Sequence, residues 1–142
     1  MSTPRLYLSE NLYDQIVTAA RATYPLECCG LIEGTAAKES WYAHAIHHAK
    51  NLAEDPENHF LIDPQMHFDL LRRLRGSERR IIGCFHSHPN GLSVPSADDR
   101  VKAIEVDFVW LIASRNREGF FGLSAYIFAE TVDDFVALRL CP

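Results

Sequence analysis

Between residues 10 and 23 the apolar positions recur every three to four residues. Leu12, Ile16, Val17 and Ala20 share one face, and Ser9 stands where an N-cap belongs. That spacing predicts a helix over 10–23, stopped by Pro25. A second stripe, Met66, Leu70, Leu71 and Leu74, follows Asp63-Pro64, a capping residue and a proline suited to the first helical position, and ends at Gly76. Ser96-Ala-Asp-Asp opens a third helix. Between these stretches the pattern is that of strands. Glu27-Cys-Cys-Gly-Leu-Ile-Glu-Gly34 reads as a buried strand, and Lys38 to Asn51 as a long one with moderate alternation through Trp41, Ala43, Ala45 and Ile46. The polar loop Glu54-Asp-Pro-Glu-Asn58 precedes a brief strand at Phe60-Leu-Ile62, and Arg80-Ile-Ile-Gly-Cys-Phe85 runs as a strand toward a loop marked by Pro89 and Asn90-Gly91. Phe108-Val-Trp-Leu-Ile-Ala113 is a continuous apolar run fit for a central strand; 119–128 and 135–140 supply two more. Leu6-Tyr-Leu8 is a short apolar run. The expected fold class is α/β: one mixed central β-sheet flanked by about three helices, with the strand order left open. No repeat, low-complexity segment or linker interrupts the pattern, so residues 1–142 are expected to form a single domain.

Composition narrows the class. With 47% hydrophobic and 23% charged residues among 142, the chain is that of an ordinary globular protein. A formal net charge of −5, with no long run of Lys or Arg, speaks against a nucleic-acid binder, because phosphate binding needs a clustered positive surface. The pairs Arg72-Arg73 and Arg79-Arg80 read as helix-end and loop charges. The beginning, Met1-Ser-Thr-Pro-Arg-Leu-Tyr-Leu8, does not resemble a secretory signal, and no apolar run reaches the roughly 20 residues that cross a bilayer, so no membrane partner is expected and the expected location is cytoplasmic. Cys28, Cys29, Cys84 and Cys141 form no C-x-x-C pair and read as free thiols.

Candidate chemistry concentrates in His86-Ser-His88-x7-Ser96-x2-Asp99. On an extended chain, imidazoles two residues apart lie on the same side about 6–7 Å apart at the backbone, close enough to bend toward one ion. Asp99, on the first turn of the following helix, offers a third, hard ligand, and two imidazoles with one carboxylate suit a zinc ion that keeps a position for water. Ser96-x-x-Asp99 is equally the pattern of a capping box, in which both residues serve the helix start. On a strand–loop–helix the two halves together favour the metal reading, and capping and catalysis can coexist.

The pattern resembles the signature of the JAMM/MPN+ zinc metalloproteases, the Mov34/MPN/PAD-1 family. The resemblance extends upstream to Pro25-Leu-Glu27-Cys-Cys-Gly30-Leu-Ile-Glu-Gly34, and takes in Asn51, Phe60-Leu-Ile-Asp-Pro64 and Gly83-x-x-His86-Ser-His-Pro89, about residues 5 to 130 in all. It implies a single MPN domain with one zinc per chain, held by His86, His88 and Asp99. It implies Glu27 as the outer-sphere acid and base, and Ser96 as the hydrogen-bond donor to the oxygen that becomes negative during amide hydrolysis. From the residues alone Glu27 is a solvated glutamate at a strand end; Glu33 and Glu54 are the fallback bases. Cys28 and Cys29 read as packed thiols, and His44, His47, His48, His59 and His67 as surface or hydrogen-bonded histidines.

Family members cut amide or isopeptide bonds after the Gly-Gly tail of ubiquitin or a ubiquitin-like protein. A narrow groove would exclude side chains, with the tail pairing at a sheet edge beside the zinc. The chain most resembles the short stand-alone bacterial members associated with sulfur-carrier proteins, some of which release cysteine from the carrier's C-terminus. The rivals are a non-catalytic MPN scaffold for protein–protein interaction and a zinc hydrolase of a small amide. The oligomeric state stays open, with a homodimer among the options.

Overall fold

The computed structural model describes residues 3–103 and 107–142. Met1 and Ser2, with which the reading of the N-terminus begins, lie outside the described residues. Among those residues the elements are β1 (Arg5–Tyr7), α1 (Glu10–Thr23), β2 (Cys29–Ala37), β3 (Ser40–Ala49), α2 (Pro64–Leu74), β4 (Arg80–His88), α3 (Ala97–Lys102), β5 (Val109–Arg115), β6 (Phe121–Ala129) and β7 (Asp134–Cys141).

The expected sheet flanked by helices is not what forms. The seven strands close into a mixed barrel in the order β1-β3-β2-β4-β5-β6-β7, and the fold is predominantly β. Closure depends on β1, which pairs in parallel with β3 on one side and β7 on the other, placing Leu6 opposite Trp41 and Leu140. The physical reason for the miss is that three residues are too few to show an alternation, and ring closure is written in backbone hydrogen bonds, which side-chain patterns do not announce. The brief strand at Phe60-Leu-Ile62 also dissolves: of it only Ile62 makes an isolated bridge, with Asn51.

Local signals fared better. Ser9 Oγ accepts from Leu12 N–H at 3.2 Å and starts α1 at Glu10. Asp63 caps α2 in the same way, with Pro64 at its first position. Of the expected α2 stripe only Leu70 is fully buried, and Leu71 is 52% exposed.

Two apolar clusters separate the inside of the barrel from its outer face. The inner one takes a residue from every strand, among them Leu6, Ile32, Trp41, Phe85, Leu111, Ala125 and Leu138, and α1 adds Leu12, Ile16 and Ala20. Phe85 lies over Gly30 on the neighbouring strand, where any side chain would collide with its ring and with the His47 carbonyl. The outer cluster joins Cys29, Leu31, Cys84 and Trp110 to Phe60, Leu70 and Ala103, so the loop before α2 and α2 itself roof the outer face of β2, β4 and β5. Among the described residues no helix is long and apolar enough to cross a membrane.

Candidate metal centre

Toward its C-terminal end β4 alternates: Phe85 enters the barrel core, whereas Cys84 joins the outer cluster, and His86 and His88 follow on that outer side. The His86 ring stacks on Phe60 at 4.3 Å and meets the edge of Trp110 at 5.9 Å. The two imidazole Nε2 atoms lie 2.9 Å apart. Each is 3.2 Å from Asp99 Oδ2, which arrives from the first turn of α3. All three side chains are buried.

The donor set fits zinc. Ligands at about 2.0–2.1 Å in a tetrahedral site stand about 3.3 Å from one another, close to the edges of this triangle. The tautomer fits as well. His88 Nδ1 faces the Leu92 carbonyl at 2.7 Å, and a carbonyl can only accept, so Nδ1 carries a hydrogen and, in the neutral form of the ring, the Nε2 lone pair is the one turned inward. His86 Nδ1 is buried with no hydrogen-bond partner, which leaves Nε2 as that ring's only engaged nitrogen. Burial lowers the His86 pKa. Burial also opposes charge on His88, but its bonds to Asp99 and to the Leu92 carbonyl outweigh this and raise it. Asp99 is pushed up by burial, yet hydrogen bonds from the two histidines and Ser96 hold it well below the usual carboxylate range.

Asp99 is placed by a complete capping box. Its N–H donates to Ser96 Oγ at 3.0 Å, and Ser96 N–H donates to Asp99 Oδ2 at 2.8 Å. One carboxylate oxygen therefore serves both the helix start and the histidine pair, and the Ser96 hydroxyl keeps its own hydrogen to donate elsewhere.

Glu27 stands just before β2, and its carboxylate with the ligand atoms of His86 and His88 forms a group within 4.8 Å. That group and the tighter triangle with Asp99 overlap. Separations of 2.9–3.2 Å suit direct ligands, whereas the looser placement of Glu27 leaves space for a water between. Two contacts hold the Glu27 backbone and a third holds the next residue: Glu27 N–H donates to Pro56 O at 2.7 Å, Asn51 Nδ2 donates to the Glu27 carbonyl at 3.0 Å, and Cys28 N–H donates to Ser87 Oγ at 2.7 Å. Burial pushes the Glu27 carboxyl up to about 7; His88 draws it down and Asp99 pushes it further up.

Glu33 lies elsewhere. It pairs with Ile81, well along β4 from the Cys29–His86 pair, and binds His47 at 2.9 Å and Arg79 at 3.1 Å. Glu54 is exposed on its loop. The Cys29 thiol, pushed up to about 12 by burial, donates weakly to the carbonyls of Ala49 and Lys50 and is no thiolate ligand. Burial also pushes up the Cys28 thiol. Two contributors escaped the sequence reading. Ser87 joins β4 to the Glu27 segment, and its place between the two histidines was the available signal. The Leu92 carbonyl is backbone and gave none.

The chain is 31% identical over 118 residues to a desampylase of Haloferax volcanii, covering 80% of this chain and 84% of that one. Its fold is shared by two proteins solved in solution. One, from Desulfitobacterium hafniense, has 23% identity and a TM-score of 0.81, with 96% of this chain and 91% of that one covered. The other, from Salinibacter ruber, has 24% identity and a TM-score of 0.67, with 97% and 92% covered. Residues 9–125 match the family of prokaryotic homologues of the JAB domain, and the chain belongs to that family.

Proposed function

We propose that the protein is a zinc-dependent peptidase or isopeptidase, a single domain over residues 1–142, that hydrolyses the amide bond following the Gly-Gly tail of a ubiquitin-like or sulfur-carrier protein. The observation that carries this reading is the convergence of His86 Nε2, His88 Nε2 and Asp99 Oδ2 at 2.9–3.2 Å, with the Glu27 carboxylate alongside. Kinship to a desampylase supports a ubiquitin-like substrate. The four cysteines are outside any disulfide and three of them are buried, which is consistent with a reducing, cytoplasmic location.

In this reading His86, His88 and Asp99 hold one zinc ion. Bound there, zinc supplies a Lewis acid that polarises a carbonyl and lowers the pKa of a water to about 7. Glu27 accepts a proton from the attacking water and passes it to the departing amine; burial pushes its carboxyl up, toward holding that proton, while the dication draws it down, toward accepting it from the water. Ser96 donates its hydroxyl hydrogen to the scissile oxygen as negative charge develops there. In this reading the tail lies beside the histidines, where Phe60, stacked on the His86 ring, covers one side of the centre.

The test is metal analysis of natively purified protein together with cleavage of Gly-Gly-linked adducts of ubiquitin-like and sulfur-carrier proteins. About one zinc per chain and release of the carrier are expected. Glu27→Gln should keep its zinc and lose turnover, whereas His88→Ala should lose both. Protein that takes up no zinc even when it is supplied contradicts the metalloenzyme reading; zinc uptake without cleavage of any adduct favours a scaffold. Undiminished turnover in Glu27→Gln removes Glu27 from the role of base.

A further inference from the structure

We infer that Ser124 and Tyr126, two hydroxyl-bearing residues of β6, are positioning residues for the metal ligand His88, acting through the backbone of loop 89–95; the inference rests on the zinc reading above. Neither residue belongs to the recognised motif.

Strand pairing sets the distance to be bridged. Across the outer face the pairs Cys29–His86, His86–Ile112 and Ile112–Ser124 form one transverse row, and Leu31–Cys84, Cys84–Trp110 and Trp110–Tyr126 form the next. With strands about 4.8 Å apart, Ser124 is two strands, or about 10 Å, from His86. Loop 89–95 leaves the end of β4, crosses β5 and reaches β6 before returning to α3.

At its far point the loop is held by one oxygen. The Ser93 carbonyl accepts from Ser124 Oγ at 2.7 Å and from Tyr126 OH at 2.9 Å. The preceding carbonyl, of Leu92, faces the other way and accepts from His88 Nδ1 at 2.7 Å. The anchor on β6 and the bond that fixes the His88 tautomer therefore fall on consecutive residues. Burial does little to hold this segment, because residues 91–94 are all exposed. Two other bonds, Leu92 N–H to Asn90 Oδ1 at 3.0 Å and Gly91 N–H to the His88 carbonyl at 3.1 Å, shape the turn where it leaves β4 and do not reach β6.

Removing the two hydroxyls frees the Ser93 carbonyl, and the Leu92 carbonyl loses its fixed place above His88. The imidazole then has no acceptor requiring hydrogen on Nδ1, and the tautomer with hydrogen on Nε2, which offers no lone pair to the metal, competes. The consequence falls on zinc affinity. Partners that orient a ligating histidine are worth about 10–100-fold in metal binding, and this anchor stands one step further out, so a loss of about tenfold is expected.

The experiment measures zinc dissociation constants, by competition with a chromophoric chelator, for the wild type, Ser124→Ala, Tyr126→Phe and the double variant. Long-range proton–nitrogen NMR of the zinc-free proteins reports the His88 tautomer. The expected result is about tenfold weaker zinc binding in the double variant, smaller losses in the singles because either hydroxyl still holds Ser93, and a sharp Nδ1–H signature for His88 that broadens in the double variant. A purely structural role would lower the unfolding midpoint and leave both readouts unmoved. Should the double variant fail to fold, the isosteric Tyr126→Phe still reads the effect. Zinc binding within about twofold of wild type in every folded variant overturns the inference alone, whereas a wild type that takes up no zinc overturns the metal reading and this inference with it.

Discussion

Glu27 sits among groups of both signs, and burial outweighs them all in pushing its carboxyl up to about 7. In the unfolded chain the same group ionises near 4.5. Between those two values the folded state keeps a proton that the unfolded state has lost. The stability this group contributes is thus fully present below 4.5 and is lost as pH rises through 7. The effect is on the order of 2 kcal/mol, allowing for residual solvent screening. Denaturant titrations of metal-free wild type and Glu27→Gln from pH 4.5 to 8.5 should show the wild type losing ground against the variant across that window; a pH-independent difference would mean that Glu27 is not perturbed. Zinc loading should shrink the effect, because a nearby dication draws a carboxyl back down. Little of this was legible from residue 27 itself, which looked like any solvated glutamate until the family pattern singled it out. Its backbone is held by Pro56 and Asn51 and that of Cys28 by Ser87, partners that lie far along the chain.

The short helix α3 carries a double demand on one carboxylate. Asp99 Oδ2 accepts the Ser96 N–H that completes the capping box and also faces both histidines. Ser96→Ala removes the cap, at a cost of about 1 kcal/mol. If the hydroxyl also stabilises the reacting oxygen, the same change lowers kcat by about 10²–10³ with zinc retained. Parallel measurement of unfolding midpoint, zinc content and kcat separates the roles, and a kcat near wild type would leave Ser96 as a cap alone. The helices were legible because their signals are local: Ser9, Asp63 and Ser96 each bond within their own first turn. The burial of α2 was less so. Leu70 and Leu71 share the apolar stripe, yet only Leu70 is covered, since coverage depends on the neighbour and not on the helix's own period.

For the molecule as a whole, the barrel is closed by three residues. Leu6 is fully buried in the inner cluster, and its strand pairs with both β3 and β7. Leu6→Ala should therefore cost about 2–5 kcal/mol, as for a core leucine, measurable as a drop in the denaturation midpoint. A change below about 0.5 kcal/mol would mark β1 as an accessory strand. The chain's own pattern was enough for most of the elements, for the residue types that meet in the His86–His88–Asp99 triangle and for the family, because each is encoded over a few neighbouring positions or in a motif. Ring closure, the grouping of Glu27 with His86 and His88, and the Leu92 carbonyl on His88 were settled by folding. They join positions tens of residues apart, or use backbone atoms that every residue carries, and such pairings leave no period or composition in the chain to be read.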